Sequence, residues 1–240
     1  MLFLISFIIL FTQNSYGQLL PSDSGIYLSS KENLTRLYVD SIGENLRLYN
    51  GTQFTTAYKS NLGHPFFEDA NPQAGTIFYG GTSYSGTKLL YDIIRDEVIC
   101  VNKFKNDEII KLIPSKINWF TLQQHLFVHL LKDSNDTNFP GNGFYEQLYN
   151  GNMAVFKKVK KQFFESSKTD EPSKYIQYNY YYIRKKNKYH LIDNRRSLIA
   201  VCDDRKADVA NFIRKERLNF KKDAATMIVR VIDYYESSKN

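Results

Sequence analysis

The segment that decides the fold runs from Thr76 to Asn102 and reads TIFYGGTSYSGTKLLYDIIRDEVICVN. Runs of β-branched and aromatic residues are separated by Gly-Gly, by Ser-Gly and then by Arg-Asp-Glu, a pattern that predicts a β-meander. From Leu89 to Ile94 both alternating faces carry apolar residues, so we expect both faces of this strand to be covered. The sheet must therefore curve into a barrel-like shape or pack against another layer.

The tripeptide Tyr-Asn-Gly occurs once before this segment, at residues 49–51, and once after it, at residues 149–151. Each copy lies between runs of strand-forming residues. Asn and Gly both tolerate the positive φ of a type I′ turn, so each copy predicts a hairpin. Between the two copies, Ile117 to Leu131 fits either two strands or one helix, and its Trp, Phe, Val and Thr content favours strands. Tyr175 to Ile192 alternates well and predicts a last hairpin.

The periodicity changes from Asn194 onward. Ser197 is a plausible N-cap, acidic residues precede a stripe formed by Val209, Phe212 and Ile213, and a further amphipathic helix follows Asp223. We therefore predict an α+β fold: an antiparallel β-meander, curved or barrel-like, with a C-terminal cap of two or three helices. The expected organisation is a signal peptide over residues 1–17, an antiparallel β domain over 18–193, and a helical cap over 194–240 packed on the sheet.

The first seventeen residues carry no charge, are apolar from Leu2 to Phe11, and end in Ser15-Tyr16-Gly17. These features are typical of a cleaved secretory signal, although the usual basic start is missing. The apolar run is much shorter than the roughly 20 residues of a transmembrane helix. We therefore expect export to the periplasm or the exterior, and no transmembrane segment in the mature chain.

The two cysteines, Cys100 and Cys202, are too few for a disulfide scaffold. Each lies in an apolar run, where a free cysteine behaves as a small buried hydrophobe. A bridge between them stays open at this point, because exported proteins do pair distant cysteines.

Charge is distributed unevenly along the chain. Residues 1–140 carry 11 Lys and Arg against 13 Asp and Glu, whereas residues 141–240 carry 21 against 12. Five cations within nine residues form the candidate anion-binding site: Arg214, Lys215, Arg217, Lys221 and Lys222. Export argues against nucleic acid, so the expected partner is an anionic envelope component or an acidic protein. The alternatives are a solvated surface or pairing with the acidic N-terminal part.

The candidates for catalytic chemistry are weaker. His125 and His129 share a face, but Leu126 stands where a zinc protease helix has Glu, and no third ligand is suggested. Asp92, Asp96 and Glu97 could supply a carboxylate pair for glycoside chemistry, although turn positions usually hold solvated acids. We therefore predict no metal, no cofactor and no catalytic residues.

The tyrosines Tyr178, Tyr180 and Tyr182 share one face of the last predicted hairpin. They could stack against sugars, but tyrosine is also simply a favoured strand residue.

Four segments carry a resemblance: residues 63–67 (GHPFF), 90–98 (LYDIIRDEV), 143–151 (GFYEQLYNG) and 213–223 (IRKERLNFKKD). They resemble a family of uncharacterised secreted proteins of Bacteroidetes, over nearly all of the chain after residue 17. The resemblance implies export and carries no activity. The leading expectation is an exported, non-enzymatic binding or structural module, with a hydrolase of envelope carbohydrate or peptide as the alternative.

Overall fold

The computed structural model describes residues 34, 47–55, 63–103, 105–167 and 171–237. The chain divides into two compact units, residues 1–43 and 44–240, and all described residues except residue 34 belong to the second. The predicted signal peptide therefore lies outside the described residues.

The described strands form one antiparallel sheet of eleven strands in the order β1-β5-β4-β3-β2-β6-β7-β8-β9-β10-β11. Their bounds are β1 Thr52–Gln53, β2 Gln73–Tyr79, β3 Thr82–Asp92, β4 Glu97–Asn102, β5 Glu108–Lys111, β6 Ile117–Leu122, β7 His125–Leu130, β8 Gly143–Asn150, β9 Met153–Phe164, β10 Lys174–Lys185 and β11 Lys188–Ile192. Three helices follow: α1 Arg195–Val201, α2 Lys206–Lys215 and α3 Ala224–Ser237. The predicted fold class, an antiparallel meander followed by C-terminal helices, is confirmed.

The link from β5 to β6 shows that the sheet is curved. The two strands lie four positions apart, which is about 19 Å in a flat sheet. Three of the five linking residues form a 3-10 turn at Pro114–Lys116, so the chain from Lys111 to Ile117 reaches only about 16 Å. The sheet curls to close this gap. Within the described residues β1 and β11 do not pair, so the sheet is open rather than a closed barrel.

The structure decides several local predictions. Residues 117–131 form two strands, β6 and β7, rather than a helix. The Ser-Gly pair at 85–86 lies inside β3, where Gly86 adopts a φ of +64°, so the chain does not turn there. The hairpin at residues 149–151 is confirmed, since it joins β8 to β9.

The hairpin predicted at residues 49–51 is wrong. Residues 47–48 are helical and β1 pairs with β5 instead of a preceding strand. Gly51 is needed there for a close approach, because an added Cβ would collide with the carbonyl oxygen of Lys111.

A first core fills the concave face of the curled sheet, and its centre is aromatic. Phe120 and Phe127 stack with their ring centroids 4.9 Å apart, and Tyr91 and Phe144 pack edge-on against them. Phe67, from the loop before β2, packs edge-on against Phe127. Strands distant in sequence thus share one aromatic cluster.

A second core joins the end of the sheet to the helices. Val209 and Ile213 of the predicted stripe are at or below 1% exposure, as are Ile228 and Val231 of α3, whereas Phe212 of the stripe is half-buried. These helices pack on the last strands of the sheet. The sheet contributes Met153, Val155, Ile183 and Ile192 to this core.

One row of the sheet crosses from the first core into the second. It runs through Phe120, Phe127, Glu146, Lys157 and Tyr181 on successive strands. The Glu146 and Lys157 side chains form an ion pair of 2.9 Å between the two hydrophobic cores. A charged pair therefore marks the boundary between them.

Candidate functional site

The five predicted anion-binding cations lie at the end of α2 and in the loop before α3. We call residues 214–222 the basic segment. All five of its cations are exposed: Arg214, Lys215, Arg217, Lys221 and Lys222.

The end of α2 explains the form of this segment. The Leu218 N–H donates to the Ile213 carbonyl at 3.0 Å and the Arg217 N–H to the Arg214 carbonyl at 3.2 Å, as in a Schellman motif. The left-handed residue of this motif is Arg217, with a φ of +53°, where glycine is the usual choice. The turn therefore carries a cation at a position that favours glycine.

The carboxylates nearest in sequence are engaged elsewhere. Glu216 pairs with Arg230 at 2.7 Å. The Asp223 carboxylate caps α3 by accepting the Thr226 N–H at 3.0 Å, and hydrogen bonds from the side chain and the backbone of Thr226 lower its pKa. Within the part of the chain that the structure describes, no carboxylate lies within ion-pair distance of the five cations. Their positive charge is thus left at the surface.

A cleft of about 640 Å³ adjoins the basic segment. We call it the first cleft. Arg195 and Arg196 from the start of α1 and Lys221 from the basic segment line it, and Leu218 and Phe220 add apolar surface. Asp193 also lines it, so the cleft combines three cations and one carboxylate with an aromatic ring.

Sequence reasoning missed Arg195 and Arg196 because it placed the helix start too late. The N-cap is Asn194, whose side chain accepts from the N–H groups of Arg196 and Ser197. The Ser197 hydroxyl accepts in return from the Asn194 N–H, which completes a capping box. Asn followed three residues later by Ser was the signal that could have found this start.

The three candidate catalytic carboxylates each have a structural partner. The Asp92 carboxylate accepts from the N–H groups of Ile94 and Arg95 and so holds the β3–β4 turn. Burial raises the pKa of Asp92. Glu97 pairs with Lys111 on the neighbouring strand at 3.1 Å.

Asp96 ties the β3–β4 turn to the beginning of β8. Its carboxylate contacts Lys158 Nζ at 2.7 Å and accepts from the Tyr91 hydroxyl at 2.5 Å, while Lys158 also donates to the Phe144 carbonyl at 2.8 Å. An added Cβ at Gly143 would collide with this carboxylate. Burial lowers the pKa of Lys158 against the attraction of Asp96, and it raises the pKa of Tyr91. Asp96 and Lys158 thus connect the β3–β4 turn to the beginning of β8 through polar contacts that are mostly buried.

The two histidines face different partners. His125 lies between two carboxylates, with Nδ1 at 2.7 Å from Glu146 and Nε2 at 3.3 Å from Glu68. His129 Nδ1 lies 3.0 Å from the Ile117 carbonyl, and its ring packs on Phe144. Among the described residues no group of three His, Cys, Asp or Glu side chains could hold a metal ion.

Both cysteines are free and buried. Cys100 belongs to the first core and Cys202 to the second, so the bridge left open by the sequence does not form. Burial raises the pKa of the Cys100 thiol to about 12, which suits a packing residue better than a nucleophile.

The tyrosine face of β10 is only partly available to a ligand. Tyr178 and Tyr180 are each 40% exposed, and Lys160 Nζ lies 5.8 Å from the Tyr180 ring centroid. Tyr182 instead packs edge-on against buried Tyr145.

No protein-family model, no curated protein and no solved structure matches the chain. The resemblance to secreted proteins of Bacteroidetes therefore stays a prediction. No helix in the described ranges combines the length and the apolar character needed to cross a membrane.

Proposed function

We propose that this protein is an exported, non-enzymatic binding module of the bacterial periplasm or cell envelope, and that its ligand is anionic. The ligand binds at the basic segment and in the first cleft beside it. The supporting observation is the set of exposed cations without carboxylate partners in the described residues, next to a cleft lined by Arg195, Arg196 and Lys221. Such a cleft attracts an anion over long range and gives it a concave surface to occupy.

A hydrolase remains the alternative, but no observation favours it over binding. The acids that could have formed a catalytic pair hold turns or neighbouring strands instead: Asp92, Asp96 and Glu97. The His125 side chain has carboxylates at both ring nitrogens, and within the described part of the chain no serine, threonine or cysteine forms a hydrogen bond with it.

Charge reversal in the first cleft tests the proposal. Arg195→Glu, Arg196→Glu and Lys221→Glu, combined in one variant, should lower the salt concentration at which the protein elutes from a heparin column. Glu at the first positions of α1 is favourable for the helix dipole, so the fold should tolerate the change. Screening with a Debye length of about 8 Å at physiological salt should weaken the wild-type interaction.

A matched variant separates a site from net charge. Lys88, Lys132 and Lys174 are exposed on the sheet and its loops, and their reversal to Glu changes the net charge by the same amount. This control should retain most of the heparin binding. Equal losses in both variants, at unchanged melting temperature, would show that only the net charge matters and would contradict the proposed site.

Export is tested separately. The mature protein recovered from the cell envelope should begin at Gln18, which an intact-mass measurement decides. Recovery of a chain that keeps Met1 would contradict export.

A further inference from the structure

A second basic cleft lies at the other end of α1. It has a volume of about 680 Å³ and is bounded by the β10–β11 turn, the end of α1 and the loop that follows. We call it the second cleft. Lys186 and Lys188 supply exposed cations, and His190, Asp203 and Asp204 supply further polar groups.

Not all cations of the second cleft are available to a ligand. Lys185 donates to the Val201 carbonyl at 2.9 Å and to the Asp203 carboxylate at 2.6 Å, so its charge fastens the hairpin to the end of α1. Lys186 and Lys188 have no ion-pair partner among the residues that the structure describes. These two lysines are therefore the cations that a ligand would meet.

The two clefts lie along the same face of α1. Arg196 lines the first cleft and Ala200 the second, and residues four positions apart lie on one face of a helix. Both residues are exposed, and α1 has no acidic residue between them. At 1.5 Å per residue, the seven residues of α1 span about 10 Å, so a single extended molecule can reach both clefts.

We propose, resting on the proposed function above, that the ligand is a linear acidic polysaccharide that runs along α1 and occupies both clefts. The mixed charge of the second cleft selects this class. Asp203 and Asp204 offer acceptor oxygens to sugar hydroxyls, and polyphosphate has no such hydroxyl donors along its chain. Leu218 and Phe220 in the first cleft give the apolar face of a sugar ring a surface to pack on.

The dependence of affinity on chain length tests the proposal. The probes are a heparin disaccharide and a heparin decasaccharide, titrated calorimetrically against the full-length mature protein and compared per disaccharide. Simultaneous use of two linked sites raises affinity by about 100-fold or more, so the decasaccharide should bind at least that much more tightly. A decasaccharide that binds no more tightly than the disaccharide overturns the spanning ligand but leaves an anion site in the first cleft.

A second-cleft variant assigns the gain to that cleft. Lys186→Glu with Lys188→Glu should remove most of the affinity advantage of the decasaccharide over the disaccharide. Lys186→Gln with Lys188→Gln is the milder version if the reversal lowers the melting temperature. Retention of the full advantage in a folded variant overturns the role of the second cleft.

Two further outcomes are decisive. Polyphosphate that binds as tightly as the decasaccharide, with the same sensitivity to the lysine changes, overturns the choice of a polysaccharide. Failure of both heparin probes to bind overturns the proposed function, and this inference with it.

Discussion

The two larger hydrophobic cores of the described residues are built from different kinds of side chain. The first has an aromatic centre, in which Tyr91 of β3 reaches Phe127 and Phe144 of β7 and β8 only because the sheet curls. The second is largely aliphatic, and three consecutive helices cover the last strands. In one half the curved sheet thus covers its own apolar face, and in the other half the three helices cover it.

Each half also uses a charged side chain to hold a distant turn. In the first half Lys158 binds Asp96 and the Phe144 carbonyl, joining the β3–β4 turn to β8. In the second half Glu236 of α3 accepts from the N–H groups of Asn152 and Met153 at the β8–β9 turn. The first contact is buried and the second is half-exposed. We therefore expect loss of the first contact to lower the free energy of unfolding more than loss of the second.

The largest expected effect is the loss of the helices. Truncation after Asn194 uncovers Met153, Val155, Ile183 and Ile192, and each buried side chain of this size contributes about 1.5–3 kcal/mol. Their combined loss is comparable with the whole stability of a domain, about 5–15 kcal/mol. The fragment should be insoluble or molten, as measured by dye binding and thermal melting. A soluble fragment that melts cooperatively would show that the first core folds alone.

Removal of the buried cation should come next. Lys158→Met leaves Asp96 and the Phe144 carbonyl without their partner, and breaking a buried pair costs about 3–5 kcal/mol. Denaturant unfolding measures the loss. The double variant Lys158→Met with Asp96→Asn should recover much of it, because the amide oxygen still accepts from Tyr91 and no charge is left unpaired. No recovery in the double variant would argue that the charge of Asp96 is not the cause.

The half-exposed contact of Glu236 with the β8–β9 turn should contribute less to the free energy of unfolding. Glu236→Ala removes hydrogen bonds to Asn152, Met153 and the Tyr149 hydroxyl, and bonds to a charged group contribute about 1.5–3 kcal/mol. Glu236→Gln keeps an acceptor and should lose about half as much. A loss of stability as large as that of Lys158→Met would show that the difference in burial does not make the two contacts differ in energy.

The second region was the more predictable of the two from sequence. Its helix stripes repeat locally, so Val209, Ile213, Ile228 and Val231 could be assigned to a core without knowing the sheet. The aromatic cluster depends on strand order and curvature, which local patterns do not encode. The two Tyr-Asn-Gly copies illustrate this limit, because only the one at 149–151 has strands on both sides that pair with each other.

The candidate site was predictable in part for the same reason. The basic segment is continuous in sequence, so its five cations could be found by counting charge. Arg195 and Arg196 join it only through the packing of α1 near the loop before α3. The second cleft requires the β10–β11 turn to approach the end of α1, and that contact is likewise invisible to a sequence pattern.

The smallest expected effect concerns Arg217, where stability and binding should respond in opposite directions. Relief of a left-handed conformation gains about 1–2 kcal/mol, and the extra freedom of unfolded glycine costs about 0.5–1 kcal/mol. Arg217→Gly should therefore stabilise the protein by about 0.5–1 kcal/mol, seen as a rise in melting temperature of about 1–4 °C. The same change removes one cation of the basic segment, so elution from heparin should move to lower salt.

Arg217→Lys is the matched control for this last prediction. It keeps both the charge and the positive φ of +53°, so neither the melting temperature nor the heparin elution should change appreciably. A less stable glycine variant would mean that the arginine side chain contributes more to the fold than its backbone conformation costs. Higher stability with unchanged elution would instead remove Arg217 from the binding surface, because a cation that takes part in binding cannot be deleted without effect. A higher melting temperature together with earlier elution from heparin would show that Arg217 serves ligand binding and lowers the stability of the protein at a position that favours glycine.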